Sequence, residues 1–191
     1  MLLVVLLYQT PPWALFTALG LLPVLYLMDW LDGYMARYKN QVTDLGSVLD
    51  IAMDRTVENV LWIVFAHQGK VPVFVPIVFI VRSFAVDGLR SYALSRRQSA
   101  FGMMRSRLGR FLVASRFMRG LYGLAKGGAF CALALLAALQ SLGGPLGPPF
   151  NLVLPVQLIL VYLSVGLCLL RGFPVLWDIR ELIGPNPSHR G

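Results

Sequence analysis

Residues 13–66 read WALFTALGLLPVLYLMDWLDGYMARYKNQVTDLGSVLDIAMDRTVENVLWIVFA, two apolar runs separated by a polar hinge that carries Asp29, Asp32, Asp44, Asp50 and Asp54. Each run approaches the ~20 apolar residues that a helix needs to cross the ~30 Å hydrocarbon layer of a bilayer. The simplest reading is a helical hairpin with its acidic turn at one membrane face. Similar runs follow at residues 71–94, 111–142 and 152–170. Residues 1–8 are almost pure Met, Leu and Val, and eight residues of helix at ~1.5 Å each reach only about 12 Å. Without a basic leader or a small-residue cleavage site, that segment reads as the second half of a helix truncated at its N-terminus. The expectation is an all-α integral membrane protein, a bundle of six transmembrane helices over residues 1–175, with a short cytoplasmic tail at 176–191.

Composition agrees. Of 191 residues 57% are hydrophobic and 14% charged, and mean hydropathy is +0.69. A soluble domain of this size cannot hide so much apolar surface, and a disordered chain would not carry it. The net charge of +8 would suit a nucleic-acid binder, but the cations fall in a pattern that explains them otherwise. Arg37 and Lys39, then Arg96, Arg97, Arg105, Arg107 and Arg110, then Arg171, Arg180 and Arg190 occupy alternate connections and the stretch after the last span. The intervening connections, near residues 9–12, 67–70 and 141–150, are rich in Pro and Gly and hold one cation, Lys70. The positive-inside rule puts the basic connections and both termini in the cytoplasm, and anionic headgroups account for the excess charge. No nucleic-acid partner is expected. Cys131 and Cys168 stand singly in apolar runs without metal-ligand spacing and read as small buried residues.

Five of the nine acidic residues lie between positions 29 and 54. Asp29 and Asp32 are three apart at the end of one span; Asp50 and Asp54 are four apart at the start of the next. Each pair shares a helix face, and the hairpin brings all four to a common depth. Carboxylates beside a hydrophobic span are costly and mark function. Four of them repel unless cations neutralise them, and hard divalent ions such as magnesium or manganese, which take oxygen ligands, are suited to that. Gly33 and Gly46 flank the carboxylates where backbone must lie close to a ligand.

The pattern D-x2-D-G-x2-A-R-x8-G-x3-D-x3-D is met at all eight positions from Asp29 to Asp54. It resembles the signature of the CDP-alcohol phosphotransferase family. The resemblance implies displacement of CMP from CDP-diacylglycerol by an alcohol, in a multi-pass protein of the inner or plasma membrane whose active site faces the cytoplasm. It further implies a homodimer and two divalent ions, Mg2+ or Mn2+, bridged by Asp29, Asp32, Asp50 and Asp54. Asp54 would also be the general base for the acceptor hydroxyl. Asp32, Gly33, Ala36, Arg37 and Gly46 would shape and contact the CDP moiety. Transfer of this kind needs charge neutralisation and alignment of attacking and leaving oxygens, which a two-metal clamp supplies.

The acceptor must be read outside the motif. Arg90, Arg116 and Arg119 fall near the cytoplasmic ends of their spans, where guanidinium groups suit a phosphorylated alcohol. An arginine deep in a span needs a partner, and the reading pairs Arg82 with Glu58, one turn beyond Asp54. The segments around Arg82–Arg90 and 115–126 are loosely similar to the bacterial phosphatidylglycerophosphate synthases, which implies glycerol 3-phosphate as acceptor. Those enzymes usually carry Lys where Arg55 stands and a Gly-Lys-x-Lys-Thr segment where this chain has Ser115 through Tyr122. Asp54-Arg55-x2-Glu58 leans toward an inositol phosphate, and serine or another alcohol stays open. Two other classes are a cation transporter, disfavoured because the third span is almost wholly apolar past Glu58, and a non-catalytic membrane scaffold.

Overall fold

The computed structural model describes residues 1–38, 44–95, 115–142 and 148–183. Within them, the side chains of residues 29, 30, 32–34, 36–38, 44, 45, 47, 48, 50, 89–95, 116, 148, 149 and 175–183 lie outside the description. The described elements are helices α1 (Leu2–Leu7), α2 (Pro12–Tyr38), α3 (Asp44–His67), α4 (Phe74–Ser95), α5 (Arg116–Ser141) and α6 (Pro148–Ile183). No strand occurs among the described residues. The two apolar runs of residues 13–66 are thus present as helices α2 and α3, each extending further toward the polar stretch than its apolar run.

Helix α5 is the centre of the bundle, packing against both α2 and α6; α6 also meets α4, α4 meets α3, and α1 rests on α2 and α3. In a bilayer, helices gain nothing from hiding apolar surface from lipid, so close van der Waals packing of small residues has to hold them. The sequence of α5 supplies those residues. Ala125, Ala129, Ala132, Ala134, Ala137 and Ala138 are buried. A Cβ added at Gly128 would lie 3.4 Å from a Leu160 methyl on α6, and one added at Gly127 would lie 3.7 Å from the Tyr26 ring on α2. Beside this small-residue surface, Trp62 on α3 stacks on Phe79 of α4 at 4.7 Å between centroids and meets Phe130 of α5 at 4.6 Å. Such pairs contribute ~0.5–1.5 kcal/mol each beyond their area.

At the end opposite the acidic hinge the connections are tied by hydrogen bonds. Gly69 adopts φ 68 and lets the Lys70 amide donate to the Phe65 carbonyl, the left-handed helix stop that favours glycine. The Gln68 side-chain amide donates to the Leu7 carbonyl at 2.7 Å, and the Tyr8 hydroxyl meets His67 Nδ1 at 3.0 Å. Both contacts fasten α1 to the end of α3. Lys70 donates to the Gln140 side chain, and burial holds its ammonium below the usual lysine range.

Two described segments are long and apolar enough to cross a bilayer, Phe117–Ser141 and Phe150–Pro174, with Pro12–Met28 a shorter apolar one. Helices α3 and α4 carry Arg55, Glu58, Arg82 and Asp87, which lower their hydropathy. Glu58 and Arg82 are each only 6% exposed, so these charges face the bundle interior, where ionisable groups in spans belong. Helix α6 has 36 residues and at ~1.5 Å per residue is about 54 Å long, well beyond the hydrocarbon thickness. It continues through position 175, where the sequence suggested a boundary, to Ile183.

Candidate active site

The acidic motif occupies the C-terminal end of α2 and the N-terminal end of α3. Asp29, Asp32, Gly33, Ala36 and Arg37 fall in the last ten residues of α2, while Gly46, Asp50 and Asp54 fall in the first eleven of α3. Both aspartate pairs keep the helical spacing that the sequence required, so positions 29 and 32, like 50 and 54, lie one turn apart on their helices. Asp54 and Gly46 are exposed. The side chains of Asp29, Asp32, Gly33, Ala36, Arg37 and Asp50 lie outside the described residues, as do those of Arg90 and Arg116 on the acceptor side. Arg119 is exposed on α5, three residues before Tyr122.

One turn past Asp54, the interior of the bundle turns polar. Glu58 Oε2 accepts from Lys126 Nζ of α5 at 2.6 Å and from Arg55 Nη1 at 3.2 Å. Its other oxygen accepts from the Tyr122 hydroxyl at 3.4 Å. Three cations surround the Tyr122 ring: Lys126 Nζ at 4.3 Å from the centroid, the Arg171 guanidinium carbon at 5.6 Å and that of Arg82 at 6.0 Å. An aromatic face attracts cations electrostatically, most strongly where water is excluded. Tyr122 therefore gathers α3, α4, α5 and α6 around one recess.

The pair of Glu58 with Arg82 expected from the sequence is not formed. Lys126 and Arg55 take the carboxylate, because Tyr122 and Lys126, four apart on α5, present both their polar ends to α3. Arg82 turns instead toward Tyr122 and α6, where its stem runs over Gly172; a Cβ there would come to 3.0 Å from Arg82 Cγ. Among the described residues its Nε and Nη1 are buried without a hydrogen-bond partner. Arg171 is a second correction. It reads as a cytoplasmic cation after the last span, yet it lies within α6 at 7% exposure. The apolar run ends at residue 170 but the helix does not, so hydropathy placed the cation outside an element that carries it inward. Sequence reasoning named Arg55 with Glu58 as an acceptor signal but missed Tyr122, whose only signal was its i, i+4 spacing to Lys126.

An all-helical membrane protein with an aspartate motif at a hairpin and a buried cationic recess one turn deeper is the class these features define. The chain belongs to the CDP-alcohol phosphatidyltransferase family, which it matches over residues 1–170. It is similar to the CDP-diacylglycerol--glycerol-3-phosphate 3-phosphatidyltransferase of Bacillus subtilis, 42% identical over 62 residues covering 32% of each chain. The protein of the same name from Mycoplasma genitalium is 37% identical over 71 residues, 37% of this chain and 30% of the other. That from Cereibacter sphaeroides is 34% identical over 92 residues, 47% of this chain and 42% of the other. The aligned stretch thus spans about a third of the first two relatives. No solved structure matches.

Proposed function

We propose that this protein transfers the phosphatidyl group of CDP-diacylglycerol to the hydroxyl of glycerol 3-phosphate, releasing CMP and forming phosphatidylglycerophosphate. The observation that carries this reading is the stacking of two complementary features along α3. The aspartate motif comes first, and a buried cationic recess follows one turn deeper. The first suits a pyrophosphate donor and the second a phosphorylated acceptor. Glycerol 3-phosphate also stands in the names of the relatives from Bacillus, Mycoplasma and Cereibacter, whereas the mycobacterial relatives are named putative cardiolipin synthase.

The donor set fits divalent ions: four carboxylates at one-turn spacings on two helix ends, all hard oxygen ligands. Asp29, Asp32, Asp50 and Asp54 would hold Mg2+ or Mn2+, and the metals, when bound, supply neutralisation of the pyrophosphate charge. The rest falls to this chain's own side chains. Asp54, exposed on α3 one turn before Glu58, takes the proton from the acceptor hydroxyl. The freed oxygen forms a bond to the phosphorus that carries the diacylglycerol, and the bond from that phosphorus to the CMP oxygen breaks. Asp32, Gly33, Ala36, Arg37 and Gly46 contact the CDP moiety. Arg82, with Lys126 and Arg171 around Tyr122, receives the acceptor phosphate, and Arg90, Arg116 and Arg119 also bind the acceptor. Guanidinium forks match phosphate oxygens in number and geometry.

The membrane setting follows the same reading. Residues 1–175 form a six-span domain whose active site lies at the cytoplasmic face of the plasma or inner membrane. Its acyl chains keep the donor in the bilayer while cytidine diphosphate reaches the hinge, and two copies assemble as a homodimer. The reading is tested with membranes containing the protein, CDP-diacylglycerol, Mg2+ or Mn2+, and a panel of acceptors. Glycerol 3-phosphate should give acceptor-dependent CMP release. Release only with inositol phosphate, serine or phosphatidylglycerol would move the acceptor and keep the reaction; no release with any acceptor would favour a scaffold.

A further inference from the structure

The recess contains a carboxylate for which the proposed transfer has no chemical use. Glu58 is 6% exposed and engages Lys126, Arg55 and Tyr122 through its two oxygens. A buried ion pair is weak evidence of stabilisation, since desolvation offsets the attraction. Its effect on its neighbours is more definite. Lys126, with 13% of its side chain exposed, stands over Tyr122 beside Arg82 and Arg171, on the ring that an anion entering the recess would meet. Arg82 holds two buried N–H groups with no hydrogen-bond partner among the described residues. Unmade hydrogen bonds on a buried guanidinium are costly, and an anion with several acceptor oxygens would remove that cost. The cations therefore differ: Arg82 is ready for an anion, while Lys126 is already occupied by one.

Accordingly, we propose that Glu58 is a built-in counter-ion that competes with the phosphate group of the acceptor for Lys126, leaving Arg82 as the group that captures the phosphate first. This rests on the reading of the recess as the phosphate site of the acceptor. The consequence is a tuned affinity. With Glu58 present, free inorganic phosphate is held loosely enough to be displaced by a phosphorylated alcohol. Without it, two neighbouring cations would act together on any phosphate, in surroundings where charges are poorly screened.

The test uses the full chain purified in detergent, without CDP-lipid. The shift of its thermal unfolding midpoint is followed against inorganic phosphate and, separately, against glycerol 3-phosphate. Glu58→Gln should lower the half-saturating concentration of both by about tenfold, and Glu58→Asp, which keeps the charge but withdraws it from Lys126, by about threefold. Lys126→Met should raise it. Unchanged or weaker phosphate affinity in both Glu58 variants, whatever their midpoints, would make Glu58 an ordinary structural pair and overturn the proposal. So would the absence of any phosphate-dependent shift in the wild-type chain. Glu58→Asp is the smaller change and keeps the test open if Glu58→Gln does not fold. CMP release is measured separately: turnover with no phosphate effect defeats the counter-ion alone, whereas phosphate tightening with no turnover on any acceptor defeats the transfer reaction alone.

Discussion

The aspartate motif and the recess beneath it lie one helical turn apart on α3, yet they are built in opposite ways. The motif is local: eight positions within 26 residues on two consecutive helices. The recess is dispersed. Arg55 and Glu58 come from α3, Arg82 from α4, Tyr122 and Lys126 from α5 and Arg171 from α6. On the proposed reading, local spacing specifies a site for the part of the reaction common to many acceptors. A site drawn from four helices can vary one residue at a time, which suits the part that distinguishes acceptors.

That contrast can be broken by substitution, and the largest effect should come from the motif. Asp54→Asn should lower CMP release by about a thousandfold or more, the scale of losing a positioned general base beside a charged centre, with the thermal midpoint near that of wild type. Removing divalent ions with a chelator should abolish turnover, and Mg2+ or Mn2+ should restore it; turnover that persists in the chelator would separate the carboxylates from metal chemistry. The recess should behave differently. Arg82→Met should raise KM for glycerol 3-phosphate by about thirtyfold to a hundredfold, the equivalent of one charge-assisted hydrogen-bonding group, while kcat changes little. An equal fall in kcat and unchanged KM would place Arg82 outside the acceptor site.

Smaller changes sharpen the same distinction. Gly172→Ala, whose methyl meets the Arg82 stem at 3.0 Å, should raise acceptor KM by about threefold, the effect of a small displacement of the guanidinium. It should leave the response to CDP-diacylglycerol unaltered. Gly128→Ala, against Leu160 at 3.4 Å, touches neither region. At that ordinary contact distance it should raise stability by about 0.5–1 kcal/mol by replacing a helix-interior glycine, visible in the unfolding midpoint and absent from the kinetics.

The same contrast decides what the sequence could disclose. Hydropathy gave the helical class and the two helices on either side of the acidic stretch, since apolar run length and helix length are linked by the bilayer. The aspartate pairs were legible because helix periodicity fixes them without reference to other elements. The pairing of Arg82 was not, because it depends on how α4 meets α6: a glycine at position 172 lets the arginine stem pass and turns its head from Glu58. Arg171 was misplaced for a related reason, since an apolar run marks where lipid ends and not where a helix ends. Lys126 was visible as a basic residue in α5, but its partner is set by the α3 side of the bundle.

The most direct measurement of the proposed transfer is CMP release from CDP-diacylglycerol by membranes carrying the wild-type chain, with and without glycerol 3-phosphate and with and without Mg2+. CMP should appear in step with phosphatidylglycerophosphate, and only when acceptor and metal are both present. Release that is independent of the metal, or a lack of release with every acceptor offered, would contradict it.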